Sequence, residues 1–358
     1  MQKTFLLTLC LLLITSLSLP GQNTKAPAQT GKSSYFTFEP WKKTSHMGDY
    51  FSLTREPDGT IAHWKMLNVI MGGKDRKDET VYKSVGKDLY SIPRFGAADM
   101  KNGLIKNTMF PYYSKHKPRV RPIITRVGCN RTEDGYFVTC SIGGDYYQKG
   151  GTELIPQIFY SKTGAKGTWE NLGVRKMDCG VVPGDLEPII AKARKDKKRI
   201  RFETAAVLKI NGIYHYYIQS RKMLGGNVCV LQAKDFRGPW KFYGRPGQPV
   251  DLTKNLKKDV TWLFFTVISL KDKGYLLVGG NKWPADKIYA AHSTNGLSFQ
   301  MVSNDPILTV DEVKKGDQSV RFLKSFRGVY NDDGTFEVGV SADTNRGQVM
   351  FVSRTKFP

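Results

Sequence analysis

Three things are scarce in this sequence, and each scarcity closes off a class of protein. Long helical periodicity is missing, and apolar residues alternate over short stretches instead, which excludes an α/β fold with crossover helices. Histidine is rare, at 5 residues in 358. No His-x-x-x-His, no cysteine pair near a histidine and no Ser/His/Asp spacing points to metal or nucleophilic chemistry. Beyond residue 19 no apolar run is long enough to span a bilayer. Acidic residues are also few, 32 against 55 basic ones, for a formal charge of +23. That imbalance suits an anionic partner, such as a sulfated or uronic-acid polysaccharide or a charged cell surface. No nucleic-acid reading motif accompanies it. Part of the excess is solvated surface: Lys-Ala-Arg-Lys-Asp-Lys-Lys-Arg-Ile-Arg, from Lys192 to Arg201, reads as an exposed basic loop or helix turn.

The first residues set an address. Lys3 precedes the apolar run from Phe5 to Leu19, which Pro20-Gly21 closes. This is the pattern of a secretory signal over residues 1–21, implying a secreted or periplasmic protein. Thr8, Thr15, Ser16 and Ser18 interrupt the run and make it a poor permanent anchor. Residues 22–34, rich in Ala, Pro, Thr, Gln and Lys, read as a disordered linker. Aromatic residues begin at Tyr35, and 35–358 reads as a single domain. Past the leader stand Cys129, Cys140, Cys179 and Cys229. An oxidising compartment permits disulfides, with Cys129 and Cys140, on either side of a turn, the nearest pair. Four buried thiols in a large core is the other reading.

What is present is a repeat. Turns at Asp58-Gly59, Asp134-Gly135, Asn211-Gly212, Lys273-Gly274 and Asp333-Gly334 recur every roughly 60–77 residues. After each comes a β-branched or aromatic strand, such as Tyr136-Phe-Val-Thr-Cys-Ser141 or Thr335-Phe-Glu-Val-Gly-Val-Ser341. Third strands follow, and several close on Trp or Phe: Trp169, Trp240 and Phe299. Units of about four strands that cannot bury both faces alone must pack on one another. The expectation is an all-β, five-bladed β-propeller with four-stranded antiparallel blades, a form that leaves little exposed sheet edge. A two-sheet sandwich is the alternative.

The hairpin from Arg201 to Ser220 carries the main candidate for chemistry. Asn211-Gly212 lies between β-branched and aromatic runs, and Glu203 opens the first strand with Thr204, Ala205 and Ala206 behind it. Small residues there predict open space around a carboxylate that catalyses or grips a ligand. An ion pair with Arg201 or Arg221 would be the plain structural role. The positions Glu203, Val207, Leu208, Lys209, Gly212, Tyr214, Tyr216 and Ser220 resemble a hairpin of the five-bladed propeller glycosidases, glycoside hydrolase family 43 (GH43) and its relatives. The resemblance implies Glu203 as general acid, a base on the first blade and a pKa-tuning Asp on the second. Asp49 is the base candidate, although Tyr50 follows it where the family has Asp-Pro. On the second blade Arg121-Pro122 replaces Asp-Pro. An arginine beside a carboxyl favours its ionised form, the opposite of what a general acid needs. Either Arg121 grips an anionic substrate group and is neutralised by it, or the pocket has lost hydrolysis.

Other arginines fall near inner-strand positions, Arg119, Arg126, Arg201, Arg321 and Arg327. Their guanidinium forks suit carboxylate or sulfate. Arg121, Arg201 and Arg327 are the expected substrate contacts among them. Among aromatics in loop or strand-start settings (Tyr112, Tyr113, Tyr146, Tyr147, Trp262 and Trp283), packing between blades competes with stacking on sugar. Trp262 is the expected substrate contact. Asp185 and Glu187 are spare carboxylates that could replace the missing partner if their loop folds over the channel. No cofactor is expected, and a channel calcium is implied by the family resemblance alone. The resulting expectation is a secreted glycoside hydrolase acting on an anionic polysaccharide or oligosaccharide by acid/base hydrolysis. A carbohydrate-binding propeller without turnover and a polysaccharide lyase are the alternatives.

Overall fold

The computed structural model describes residues 35–47, 51–66, 79–93, 103–106, 121–146, 151–172, 184–196, 198, 200–220, 224, 228–245 and 248–358. At 46, 47, 66, 79, 80, 106, 194 and 204, and over 121–127, 142–146 and 151–155, it describes the backbone alone. The leader and linker (1–34), Asp49, Tyr112, Tyr113, Arg119, Tyr147 and Cys179 lie outside the described residues.

Strand β1 (Lys42–Met47) precedes five antiparallel meanders. The first comprises β2 (Phe51–Arg55), β3 (Ile61–Met66), β4 (Glu79–Gly86) and β5 (Ile105–Lys106). In the second, β6 (Arg121–Thr132), β7 (Gly135–Tyr146) and β8 (Gly151–Ser161) are edged by β9 (Glu170–Asn171) and β10 (Ile200–Arg201). Helix α1 (Leu186–Lys195) lies between those two edge segments in the chain. The third runs β11 (Glu203–Ile210), β12 (Ile213–Gln219), β13 (Cys229–Ala233) and β14 (Lys241–Phe242). In the fourth, β15 (Leu263–Ser269), β16 (Tyr275–Gly280) and β17 (Lys287–Ser293) are edged by β18 (Gln300–Met301) and β19 (Leu308–Thr309). The fifth is β20 (Val320–Tyr330), β21 (Thr335–Thr344) and β22 (Gly347–Lys356), with β1 as its outermost strand.

The inner strands meet in a closed cycle, β2 against β6, β6 against β11, β11 against β15, β15 against β20 and β20 against β2. The fold is therefore a five-bladed β-propeller. All five turns read from the sequence join the first and second strands of a blade. At Asn211 and Gly212 φ is 50° and 76°, the left-handed region that an Asn-Gly turn tolerates.

Two features depart from the sequence expectation. The second and fourth blades carry five strands, because two short segments share the outer edge. β9 pairs antiparallel with Phe159 and Tyr160, and β10 pairs parallel with Glu153 and Leu154 of the same strand. The fifth blade is completed from the front of the chain, with Lys42 opposite Val352 and Lys43 opposite Phe351. This covers an edge that would otherwise present unpaired backbone groups.

Apolar side chains between sheets form the core. Trp64 of the first blade, Phe137 of the second and Tyr216 of the third lie in one cluster, and Tyr217, Trp262 and Tyr289 in the next. Polar contacts hook blade to blade. Tyr136 donates to Glu56 at 2.7 Å, Tyr217 to the Gly296 carbonyl at 2.9 Å, and Tyr214 to Asp134. Lys271 pairs with Asp332, and Arg55 donates to Asn331. Cys129, Cys140 and Cys229 are free and buried, so the disulfide considered for Cys129 and Cys140 does not form. The register explains it: Cys129 stands opposite Val138 and Cys140 opposite Gln157, so the two are not partners across the hairpin. The basic run from Lys192 ends α1, with Lys192, Lys195 and Lys198 exposed and Leu186, Ile190 and Ala193 buried.

Candidate functional site

In a propeller whose inner strands all run the same way, their first residues gather at one mouth of the central channel. Glu203 is the first residue of β11, opposite Gln219 on β12. It is only 8% exposed, although it is a carboxylate. Its Oε2 accepts from the backbone N–H of Phe264, at the start of β15, at 3.3 Å. The side chain is thus turned across the boundary to the fourth blade.

A β-bulge follows at once, with the register shifting between Thr204 and Ala206. Similar shifts lie between Thr125 and Gly128, Leu263 and Thr266, and Leu323 and Phe326. Bulges bend a strand and re-aim its side chains, and here four inner strands bend near one mouth. The small residues behind Glu203 do not leave open space. Ala205 and Ala206 are buried, and a Cβ added at Gly128 of β6 would stand 1.9 Å from the Ala205 carbonyl oxygen. Small side chains let the inner strands of the second and third blades touch beneath the acid.

Arg327 of β20 is the second buried charge of the channel. Its Nε donates to the Phe51 carbonyl at 3.1 Å, and its Nη1 to the carbonyls of Phe264 at 3.2 Å and Phe326 at 2.8 Å. One guanidinium therefore joins the first, fourth and fifth blades. Burial brings its pKa down to about 10, against which the charge of Glu203 acts. Glu203 and Arg327 also share one residue, Phe264: the acid takes its N–H and the arginine its C=O.

That shared residue is strained. Phe264 has φ 51° and Trp262 φ 52°, a region costing a residue with a side chain about 1–2 kcal/mol. Gln219 holds the segment from the other side, donating to the carbonyls of Thr261 at 3.1 Å and Trp262 at 3.3 Å. Backbone held in an unfavourable region by surrounding bonds is characteristic of sites where geometry matters. Nothing local in the sequence marks Phe264 or Gln219; only the meeting of two blades does.

Trp262 is fully buried between the third and fourth blades, with no ring face toward the channel. The exposed aromatic here is Trp283, on the turn between β16 and β17, at 55%. Its ring meets Phe264 edge-on at 5.4 Å and Phe322 at 5.2 Å. Arg201 is exposed, two residues before Glu203, and its carbonyl accepts from Ser220 at 2.8 Å. Arg121 is the first residue of β6, opposite Asp145, and its side chain lies outside the described residues. Asp49 lies outside them too, two positions ahead of Phe51. Asp185 does not cover the channel: its carboxylate accepts from the N–H of Phe242 on β14, the outer strand of its blade, at 3.0 Å. Glu187 is exposed on the first turn of α1. His215 is buried and hydrogen-bonded, donating through Nδ1 to the Ile213 carbonyl at 3.0 Å and accepting at Nε2 from Gln232 at 2.7 Å. Burial lowers its pKa.

A channel calcium does not fit the described residues. No group of three or more His, Cys, Asp or Glu converges among them. A guanidinium cation already occupies the carbonyls of Phe51, Phe264 and Phe326. At the opposite mouth, near the turns, the channel opens into a cavity of ≈ 350 Å³ lined in part by Arg55, Arg131 and Lys271. No described helix is long and apolar enough to cross a membrane.

No protein-family model and no curated protein matches the sequence. Solved structures match its fold. The GH43 protein BlXynB from Bacillus licheniformis aligns at TM-score 0.55 and 10% identity, over 87% of this chain and 54% of that one. Xylan β-1,4-xylosidase from Bacillus halodurans C-125 aligns at 0.52 and 10%, with the same shares of each chain. This chain thus spans about half the length of those two. Zg3597, a family 117 glycoside hydrolase produced by Zobellia galactanivorans, aligns at 0.48 and 11%, over 90% of each chain.

Proposed function

We propose that this propeller is a glycoside hydrolase and that Glu203 is its general acid. The observation that carries the reading is a nearly buried carboxylate at the first residue of the third blade's inner strand, bonded across to the fourth blade. The fold shared with the Bacillus licheniformis and Bacillus halodurans proteins supports it, the second of which is named a xylosidase.

Hydrolysis requires one carboxyl to protonate the departing glycosidic oxygen and a second to activate water or attack the sugar. Glu203 has the position for the first role. Asp49 is the candidate for the second, since it precedes Phe51, whose carbonyl Arg327 ties to the Glu203 side of the channel. A separation of about 6.5–9.5 Å between the two carboxyls would give inversion, and about 5–5.5 Å retention. We assign the substrate to anionic polysaccharides or oligosaccharides. Arg327 places a positive charge in the channel and Arg121 opens the inner strand β6, and a negatively charged sugar would offset such charge on binding. The leader at residues 1–21 is assigned to export, which would bring the protein to such polymers.

Product analysis tests the reading. Incubation with charged polysaccharides should release reducing ends without new ultraviolet absorbance, and Glu203→Gln should abolish that release. An unsaturated, ultraviolet-absorbing product would make the protein a lyase. Retention of polysaccharide without any product would make it a binding module.

A further inference from the structure

The end of the channel away from Glu203 collects positive charge. Arg55 is the last residue of β2, Arg131 the last but one of β6, and Lys271 lies on the turn after β15. Arg327, three residues before the end of β20, joins them around the cavity of ≈ 350 Å³. These cations come from four blades, and no described residue lining the cavity is acidic.

Their bonds inside the protein do little to offset that charge. Arg55 donates to the Gly59 carbonyl and to Asn331, both neutral. The Arg131 guanidinium is exposed and lies 5.8 Å from the centre of the Tyr136 ring. Arg327 spends Nε and Nη1 on its three carbonyls, and no described residue accepts from its Nη2. Lys271 pairs with Asp332, which is 91% exposed, and such a surface pair is weak. Lys271 also sits at φ 58°, a conformation that glycine adopts without strain and lysine does not. A cation is thus kept at a position where the backbone favours another residue.

Like charges around a concave space focus an attractive field for an anion, and guanidinium forks match the geometry of an oxyanion. Asn130 refines the choice. It lines the same cavity, and its Oδ1 is buried without a hydrogen-bond partner. An acceptor set among donors suits a ligand that carries an O–H as well as negative charge. Hydrogen phosphate has both, whereas sulfate near neutrality has acceptors only. Sites for small organic molecules begin at about 300 Å³, so the space accommodates a phosphate with a sugar-sized body attached.

We propose that this cavity is a phosphate site at the opposite end of the channel from Glu203, taking inorganic phosphate or the phosphate group of a sugar monoester. Arg55, Arg131 and Lys271 supply charge and donors, and Asn130 accepts from a hydroxyl. The site stands whether or not Glu203 cleaves anything, and its failure leaves the hydrolase reading untouched.

Calorimetric titration of the full chain at fixed ionic strength tests it, with inorganic phosphate, sulfate, glucose 6-phosphate and glucose as probes. Phosphate should bind saturably and more tightly than sulfate, and glucose should not bind. Arg131→Met and Lys271→Met should each weaken phosphate by at least about tenfold, the scale of one lost charge-assisted hydrogen bond. Lys254→Met, which removes an exposed cation away from the cavity, should leave the affinity unchanged and so controls for net charge. Thermal melting of each variant without phosphate checks that the propeller is intact. Tighter binding of glucose 6-phosphate than of phosphate would assign the site to esters, and equal binding to the free ion; either upholds it. Sulfate bound as tightly as phosphate would overturn the part given to Asn130. Absence of saturable phosphate binding overturns the site, as does binding that Arg131→Met and Lys271→Met leave unaltered or that Lys254→Met weakens equally.

Discussion

Arg327 shows how one side chain can serve both architecture and site. Its hydrogen bonds draw on backbone carbonyls from three blades, and its charge answers Glu203 in a space that water hardly enters. Replacing the guanidinium with an apolar side chain leaves three buried carbonyls without their donor, each at a desolvation cost. Arg327→Met should therefore cost about 3 kcal/mol in denaturant unfolding. Arg327→Lys should recover part of that, since an ammonium keeps the charge but cannot span the same carbonyls. A variant as stable as the parent would refute the bridging role. The cysteines make a second prediction at this scale. Burial raises the thiol pKa of Cys129 and Cys140, and that of Cys229 up to about 12. These three should resist a thiol reagent in the native state and react only on unfolding. Labelling of the folded protein at any of them would contradict the packing.

Among the elements, β1 deserves a separate test because it closes the fifth blade from the far end of the sequence. Lys43 of β1 donates to Asp317 at 2.6 Å, ahead of β20. That bond, with those from Ser319, holds the Asp317 carboxyl at about 2, below the ordinary 3.8. A lowered carboxylate pKa stabilises the fold above the unfolded value, and that stabilisation disappears as pH falls from about 4 through 2. Lys43→Met should make acid unfolding begin at higher pH. Near neutrality the loss should stay under about 1 kcal/mol, because the lysine is half in solvent. Melting curves from pH 2 to 7 would show it, and curves that coincide at every pH would refute it. The same element marks the limit of what the sequence discloses. The five hairpin turns are legible because Gly beside Asp, Asn or Lys sets backbone conformation locally. The pairing of Lys42 with Val352 depends on the ring closing, and no local pattern carries it. The site divides the same way. Glu203 stands out beside a clear Asn-Gly hairpin. Trp262 and Trp283, both in strand-start or turn settings, look alike in sequence, yet one is fully buried and the other 55% exposed. The bulges and the Gly128 contact explain why small residues follow Glu203, a packing requirement that in sequence looks like an open pocket.

At the scale of the whole molecule, closure turns five separate strand starts into one site. Phe51, Glu203, Phe264 and Arg327 come from four blades and are joined by hydrogen bonds or by charge across the channel. The formal charge of +23 is that of the whole sequence, and its attraction for a polyanion would weaken with salt. Glu203 as proton donor is the point on which the functional reading turns, and leaving-group dependence tests it most directly. Methyl and dinitrophenyl glycosides of whichever sugar the wild type releases would be compared for wild type and Glu203→Gln. The glutamine can still accept from the Phe264 N–H, so the fold of the mouth is kept. Cleavage of a poor leaving group such as methoxide should fall by at least about a hundredfold, the usual contribution of general acid catalysis. Cleavage of a dinitrophenyl glycoside, whose leaving group needs no proton, should fall little. Equal losses for both substrates would contradict the assignment of Glu203 as the acid.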